Sequence, residues 1–208
     1  MLYPHKLTRI QDGLELYVPD PERVKSVYEK LLAANPGTPF PFWAKIWPSA
    51  KELSSFLKDE QHWVSGKHVL ELGAGIGAPS FLMAPYASTM IISDHATEAV
   101  ALIEKNIQHL GLKNTKAMCL HWNCFPNDMK AETVLLSDIN YDPDQFGVLL
   151  ELIRKLLAEG STIILSTPQR ITINPFAEAL QPFIKRSVLR TRKDGMQEVD
   201  IRILILSI

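Results

Sequence analysis

The sequence contains little cysteine and almost no net charge. Only two of its 208 residues are cysteines, Cys119 and Cys124, and the formal net charge is −1. Their C-x4-C spacing lacks the paired C-x2-C arrangement of a zinc site, so we expect two buried or half-buried thiols and no metal. The balanced charge argues against the broad attraction to nucleic acids or acidic membranes that a strongly basic chain has.

Long apolar runs, repeats and targeting signals are also missing from the sequence. The first residues, MLYPHKLTRIQDG, are mixed and polar, and no stretch reads as a membrane-spanning helix. We therefore expect a cytoplasmic protein with neither a membrane nor a nucleic acid as partner. Because 46% of the residues are hydrophobic, the chain is able to bury the core of one globular unit.

The most informative stretch is residues 69–79, which read VLELGAGIGAP. The apolar run at its start predicts a strand buried on both faces of a parallel sheet. Glycines follow at every second position, and a proline then opens a segment with helical character. Glycine lets a ligand approach the backbone closely, and amides at a helix start favour a polar or anionic group.

The spacing of these glycines distinguishes three interpretations. Dinucleotide sites show G-x-G-x-x-G, whereas this chain has G-x-G-x-G with an acid, Glu71, two residues before it. A tight turn without a ligand and a nicotinamide dinucleotide site both stay open. The E-x-G-x-G-x-G arrangement resembles the first motif of the seven-strand, S-adenosylmethionine-dependent methyltransferases and favours that class.

Predicted strands and helices alternate along the rest of the chain. Before the glycines we expect a hairpin over 7–18 and helices over 21–34 and 48–58. After them, strands at 89–92, 115–120, 132–137 and 162–166 alternate with helices at 78–85, 96–110, 143–158 and 175–185. Two final strands, 187–191 and 198–208, form an antiparallel hairpin. This order predicts an α/β fold with a doubly wound, mostly parallel sheet.

Polar and aromatic residues follow the predicted strands at the edge where α/β sheets bind ligands. Asp94 ends the second parallel strand, about twenty residues after the glycines, where it either accepts hydrogen bonds from ribose hydroxyls or caps the next helix. Trp122 follows the third strand and either packs on an adenine or fills the core. The loop from Asp138 to Tyr141 follows the fourth strand and faces the same site.

Four blocks of sequence resemble the seven-strand protein-lysine methyltransferases, especially the branch that includes the electron-transfer-flavoprotein β-subunit lysine methyltransferase. The blocks are PFWAKIWPSA, VLELGAGIGAP, LHWN and SDINY. The resemblance implies a Rossmann-like, seven-stranded methyltransferase domain over residues 43–208, with 1–42 as an N-terminal hairpin and helix extension. It also implies S-adenosyl-L-methionine as cofactor, S-adenosyl-L-homocysteine as product and a protein substrate.

The same resemblance assigns individual residues. The implied cofactor-binding residues are Trp47, Glu71, Gly73, Ala74, Gly75, Asp94, Trp122 and Ser137. Trp47 is placed against the cofactor, although an isolated tryptophan is more often a core anchor, and Trp43 stays a core residue. Asp138 and Tyr141 match the family's D-x-x-Y motif, which lines the acceptor site. Arg170 is the counterpart of an arginine that often follows the fifth strand in this family.

The chemistry of methyl transfer explains why these residue types suit the acceptor site. Catalysis depends mainly on aligning the nucleophile with the methyl group, and a lysine must first lose its proton. Asp138 would orient the amine, and Tyr141 would wall its alkyl stem and offer a cation–π contact. Whether Asp138 is also a base stays open. The alternatives are a methyltransferase for a small-molecule amine, a non-catalytic cofactor-binding module, and a dehydrogenase.

Overall fold

The computed structural model describes residues 3–140, 142–169 and 174–208, which contain nine strands and six α-helices. The strands are β1 His5–Arg9, β2 Glu15–Pro19, β3 His68–Leu72, β4 Thr89–Asp94, β5 Thr115–Cys119, β6 Thr133–Ser137, β7 Thr162–Pro168, β8 Ile184–Asp194 and β9 Gln197–Leu206. The helices are α1 Pro21–Ala34, α2 Pro48–Asp59, α3 Ala78–Met83, α4 Thr97–Leu110, α5 Phe146–Ala158 and α6 Asn174–Leu180.

Seven of the strands form one sheet in the order β5-β4-β3-β6-β7-β9-β8. The strands from β3 to β7 are parallel, and β9 runs antiparallel to both β7 and β8. The strand order changes direction at β3, and such a switch point is where open α/β sheets bind ligands. The predicted doubly wound, mostly parallel sheet with an antiparallel C-terminal hairpin is confirmed.

Helices pack on both faces of this sheet through their apolar side chains. Val69 of β3 packs in one cluster with Phe56 of α2 and Leu102 of α4. Leu70 and Leu72, which point to the other face, pack in a second cluster with apolar side chains of α5. Because β3 is buried on both faces, its sequence reads as a nearly continuous apolar run.

The N-terminal hairpin of β1 and β2 is tied to α4. The buried side chain of Asn106 accepts a hydrogen bond from the Tyr17 amide at 2.7 Å and donates to the Tyr17 carbonyl at 3.1 Å. Leu16 is fully buried in the same apolar cluster as Val69. The division into an extension over 1–42 and a domain over 43–208 stays a prediction, and this hairpin shares the core of the sheet.

The predicted boundaries differ most near the C-terminus. The helix expected over 175–185 ends at Leu180, and a 3₁₀ turn over Gln181–Phe183 leads directly into β8. Pro182 explains the early end, because proline has no amide hydrogen to continue the helical bonding. The chain therefore becomes extended at Ile184, earlier than expected.

The expectation of buried or half-buried thiols was wrong, since Cys119 and Cys124 are both exposed. Cys119 ends the outermost strand of the sheet, and Cys124 lies in the turn that follows it. In the described ranges, no three His, Cys, Asp or Glu side chains are grouped so that they could hold a metal ion. No helix there is both long and apolar enough to cross a membrane, and the cellular compartment stays a prediction.

Gly77 and Gly13 form a matched pair that tests the packing of the glycine turn on β4. Their φ angles are 77° and 80°, but only a Cβ at Gly77 would meet a buried atom, Ile92 Cγ2 at 2.8 Å. We expect Gly13→Ala to lower the free energy of unfolding by about 1–2 kcal/mol, the cost of a left-handed backbone. Gly77→Ala should cost about 1–3 kcal/mol more, because it also overpacks the core. Equal losses in urea unfolding would contradict this packing.

Candidate functional site

A cavity of about 620 Å³ opens at the carboxyl ends of the central parallel strands. Cavities of about 300–1,000 Å³ are typical of sites that bind one small molecule or cofactor. One part of its wall is the glycine turn, Gly73 to Gly77, together with residues that follow β4 and β6. Another part is contributed by residues between Thr38 and Trp47, which join α1 to α2.

The glycine turn is held to β4 by hydrogen bonds from its own amides. The Ala74 amide donates to the Ser93 carbonyl at 2.9 Å, and the Gly75 amide donates to Asp94 Oδ2 at 2.8 Å. Asp94 Oδ1 accepts from the Ala96 amide at 2.9 Å, immediately before α4. Asp94 therefore joins the turn to the start of α4 and also lines the cavity, while Ala96 is the N-cap residue of that helix.

Gly75 is required for a close approach between two parts of the protein. Its φ is 56°, and a Cβ there would lie 3.0 Å from the carbonyl oxygen of Trp43. Trp43, expected only in the core, is half-buried: it packs edge-on against Tyr3 at 5.5 Å between ring centroids and also lines the cavity. The segment before α2 thus lies directly on the glycine turn.

Glu71 is buried beneath the turn and does not belong to the cavity wall. Its Oε2 accepts a hydrogen bond from the Ser80 amide, in the first turn of α3, at 3.3 Å. Burial raises the pKa of Glu71 to about 7; hydrogen bonding by Ser80 opposes this rise, and the charge of Asp94 adds to it. This position gives Glu71 a structural role under the turn, and its contact with a cofactor stays a prediction.

Two amides near the start of α3 are used inside the protein. The Ser80 and Gly75 amides donate to the carboxylates of Glu71 and Asp94, and Pro79 has no amide hydrogen. A dinucleotide site uses the amides at this position to bind a diphosphate. The internal use of these donors therefore argues against the dehydrogenase interpretation.

The charges on the cavity wall also argue against a dinucleotide. The described lining residues include four acids: Asp94, Glu98, Asp138 and Asp142. The ammonium group of Lys45, which also lines the cavity, lies 3.7 Å from a carboxylate oxygen of Asp194. An acidic wall of this kind favours a cationic ligand over a phosphorylated one.

Asp138 occupies an unusual backbone position on the cavity wall. Its φ is 53°, its amide donates to the Ser166 carbonyl at 2.9 Å, and it is only 7% exposed. The next residue, Ile139, lies over the glycine turn, because a Cβ on Gly73 would be 2.9 Å from its Cγ2. Left-handed backbone at a residue other than glycine is uncommon and is concentrated at functional sites.

The structure brings most of the predicted site residues together around this cavity. Those on its wall are Trp47, Gly73, Ala74, Gly75, Asp94, Trp122, Ser137 and Asp138. Trp47 is held in place by a hydrogen bond from its Nε1 to the Phe42 carbonyl at 2.9 Å. Tyr141 and Arg170 lie outside the described residues.

Two phenylalanines on the cavity wall were not predicted from the sequence. Phe40 and Phe42 line the cavity, yet neither was assigned to the site, although Phe42 belongs to the block PFWAKIWPSA. The available signal was the alternation of proline and phenylalanine in TPFPFW. The prolines restrict the backbone before the 3₁₀ turn of Phe42–Ala44, and the aromatic side chains therefore lie close to the start of α2 in the sequence.

Together, the fold and the site define the class I, S-adenosylmethionine-dependent methyltransferases. The sheet order, the glycine turn after β3 and the acid at the end of β4 all belong to that class. A solved structure with the same fold is the N-methyltransferase NodS from Bradyrhizobium japonicum in complex with S-adenosyl-L-homocysteine. It matches 86% of this chain and 97% of its own, with a TM-score of 0.62 and 13% identity.

The chain belongs to the lysine methyltransferase family, whose sequence profile matches residues 41–186. It is 27% identical to EEF1A lysine methyltransferase 3 of Xenopus tropicalis, over 76% of this chain and 72% of that protein. It is 28% identical to the electron transfer flavoprotein beta subunit lysine methyltransferase of Xenopus laevis, over 74% of this chain and 64% of that protein. The predicted family, class of enzyme and cofactor are confirmed.

The buried carboxyl group of Glu71 makes the protein less stable as the pH rises. Its pKa increases from the usual 4.5 to about 7, so between these values the folded protein holds a proton that the unfolded chain has lost. The destabilisation is absent below about pH 4.5 and reaches about 3 kcal/mol above pH 7. Glu71→Gln should therefore gain stability relative to the wild type between pH 5.5 and pH 8 in urea unfolding. A difference that is the same at both pH values would contradict this account.

Proposed function

We propose that the protein methylates the side-chain amine of a lysine in a protein substrate and that Asp138 orients this amine. The observation that carries the proposal is the largely buried Asp138 carboxylate on the cavity wall, beside the glycine turn. A carboxylate at this position suits a cationic or amine acceptor. The two relatives described above are both named as lysine methyltransferases, which supports the same acceptor.

Several groups on the cavity wall suit parts of S-adenosyl-L-methionine. Each oxygen of Asp94 accepts one amide, and His95 Nδ1 also lies 3.4 Å from Oδ1, so we propose that Oδ2 keeps a lone pair for a ribose hydroxyl. We propose that Trp122 packs on the adenine, Trp47 lies against the chain of the cofactor, and the acidic wall favours the sulfonium charge. When bound, the cofactor supplies an electrophilic methyl group on a sulfur that leaves as a neutral thioether.

Asp138 is proposed to act on the acceptor by orientation and charge. The amine must be neutral when it attacks, because an ammonium group has no lone pair. A carboxylate that accepts a hydrogen bond from the lysine Nζ fixes the direction of this lone pair, and it stabilises the positive charge that develops as the bond forms. Tyr141, from the D-x-x-Y motif, is proposed to wall the alkyl stem.

Asparagine variants separate the two proposed roles, because Asn keeps the size of Asp and removes its charge. Asp138→Asn should lower kcat about 100-fold or more and leave the affinity for S-adenosyl-L-homocysteine within about threefold. Asp94→Asn should instead weaken that affinity about tenfold or more, since Asp94 also holds the Gly75 amide. Asp144→Asn is the matched control, because Asp144 is exposed near the same loop and does not line the cavity.

The assay follows methyl-labelled S-adenosylmethionine into cell proteins and into the small-molecule fraction, and mass spectrometry then locates the modified residue. Label on a lysine that is lost in Asp138→Asn and kept in Asp144→Asn supports the proposal. If label appears only in the small-molecule fraction, the acceptor is a small-molecule amine and not a protein lysine. Full activity of Asp138→Asn would contradict the role of Asp138.

A further inference from the structure

We propose that an exposed apolar strip at the mouth of the cavity binds the substrate protein through an apolar side chain that lies close to the target lysine. The inference rests on the proposed function and names the acceptor more narrowly. The acceptor strip consists of Leu31, Pro39, Phe40, Phe42 and Trp47, all of which line the same cavity as Asp138.

The acceptor strip exposes large aromatic side chains beside a polar site. Phe40 is 47% exposed and Phe42 is 44% exposed, although both rings contribute to the cavity wall. Scattered apolar residues on a surface need no explanation, but a contiguous apolar patch that continues into a cleft marks an interaction site. The patch thus extends the cavity outward from the acidic wall.

The rings of the acceptor strip are held in a fixed arrangement. Phe40 packs edge-on between Tyr28, at 5.1 Å, and Phe42, at 4.9 Å between ring centroids. Phe42 in turn lies 6.2 Å from Trp47, which donates a hydrogen bond to the Phe42 carbonyl. Thr38 fixes the preceding loop, because its hydroxyl donates to the Asn35 carbonyl at 2.8 Å. A surface that is ordered in advance binds a partner with a smaller loss of conformational entropy.

Two observations identify what binds to the acceptor strip: the cavity is acidic, and the strip lines the same cavity as Asp138. Both favour the substrate segment that surrounds the target lysine. The inner wall carries the acids Asp94, Asp138 and Asp142, which suit a lysine side chain. A lysine that reaches Asp138 with its amine leaves its backbone at the mouth of the cavity, so neighbouring residues of the substrate face the acceptor strip. A second copy of this chain on the strip would instead cover the opening that the substrate needs.

The test compares methylation by wild-type protein, Phe40→Ser and the control Leu189→Ser. Leu189 is 54% exposed on β8 and does not line the cavity. The first probes are 11-residue peptides with one central lysine, which is flanked by leucine and phenylalanine in one set and by serine and glycine in the other. The second probe is a mixture of cell proteins, into which the incorporation of labelled methyl groups is measured. We expect the wild type to prefer the apolar set about tenfold in kcat/KM, the effect of burying one large apolar side chain.

Phe40→Ser should lose this preference, mainly through KM, and should incorporate less label into cell proteins. Its affinity for S-adenosyl-L-homocysteine should be unchanged, which separates the role of Phe40 from cofactor binding. Phe40→Leu should keep most of the preference, and Leu189→Ser should keep all of it.

Four results would overturn the inference. If lysine is methylated equally in both peptide sets, or equally by Phe40→Ser and Leu189→Ser, the acceptor strip has no role and the proposed function still stands. If a concentration-dependent dimer is abolished by Phe40→Ser, the strip binds a second copy. If no lysine in any probe is methylated while S-adenosyl-L-homocysteine binds, the proposed function fails and the inference fails with it.

Discussion

The carboxylate of Asp94 joins the segments from which the site is built. It accepts the Gly75 amide from the glycine turn and the Ala96 amide from the start of α4, and it faces the cavity. A buried polar group without hydrogen bonds is costly, and these two amides supply hydrogen bonds to both oxygens of Asp94. The same bonds fix the position of the glycine turn at the end of β3. Trp43 packs closely on Gly75 of this turn, and Ile139 packs closely on Gly73.

The choice of ligand follows from how the backbone amides are used. Glu71 and Asp94 take donors that a dinucleotide site would offer to a diphosphate, and other acids face the open space of the cavity. The result is a site whose field favours positive charge, as a sulfonium cofactor and a lysine acceptor both require. The buried Glu71 has a pKa raised to about 7 by burial, and its hydrogen bond from the Ser80 amide connects β3 to the first turn of α3.

The alternation of strands and helices along the chain, and the polar residues at the strand ends that line the cavity, could be predicted from the sequence because both depend on local patterns. Apolar runs located the strands, and ligands bind at the strand ends of any such sheet, so Asp94 and Asp138 could be placed without coordinates. The hydrogen bond from the Gly75 amide to Asp94 and the packing of Trp43 on Gly75 join residues that are far apart in the sequence. A local sequence pattern does not predict such contacts. Cys119 is exposed because β5 lies at an edge of the sheet. The position of a strand within the sheet cannot be read from its place along the chain.

The central claim is that this cavity binds a sulfonium cofactor and not a dinucleotide. Thermal unfolding with S-adenosyl-L-homocysteine or with NADH tests it directly, because a ligand that binds only the folded state raises the midpoint temperature. We predict that S-adenosyl-L-homocysteine raises the midpoint in a concentration-dependent way and that NADH leaves it unchanged. Stabilisation by NADH without any effect of S-adenosyl-L-homocysteine would contradict the account.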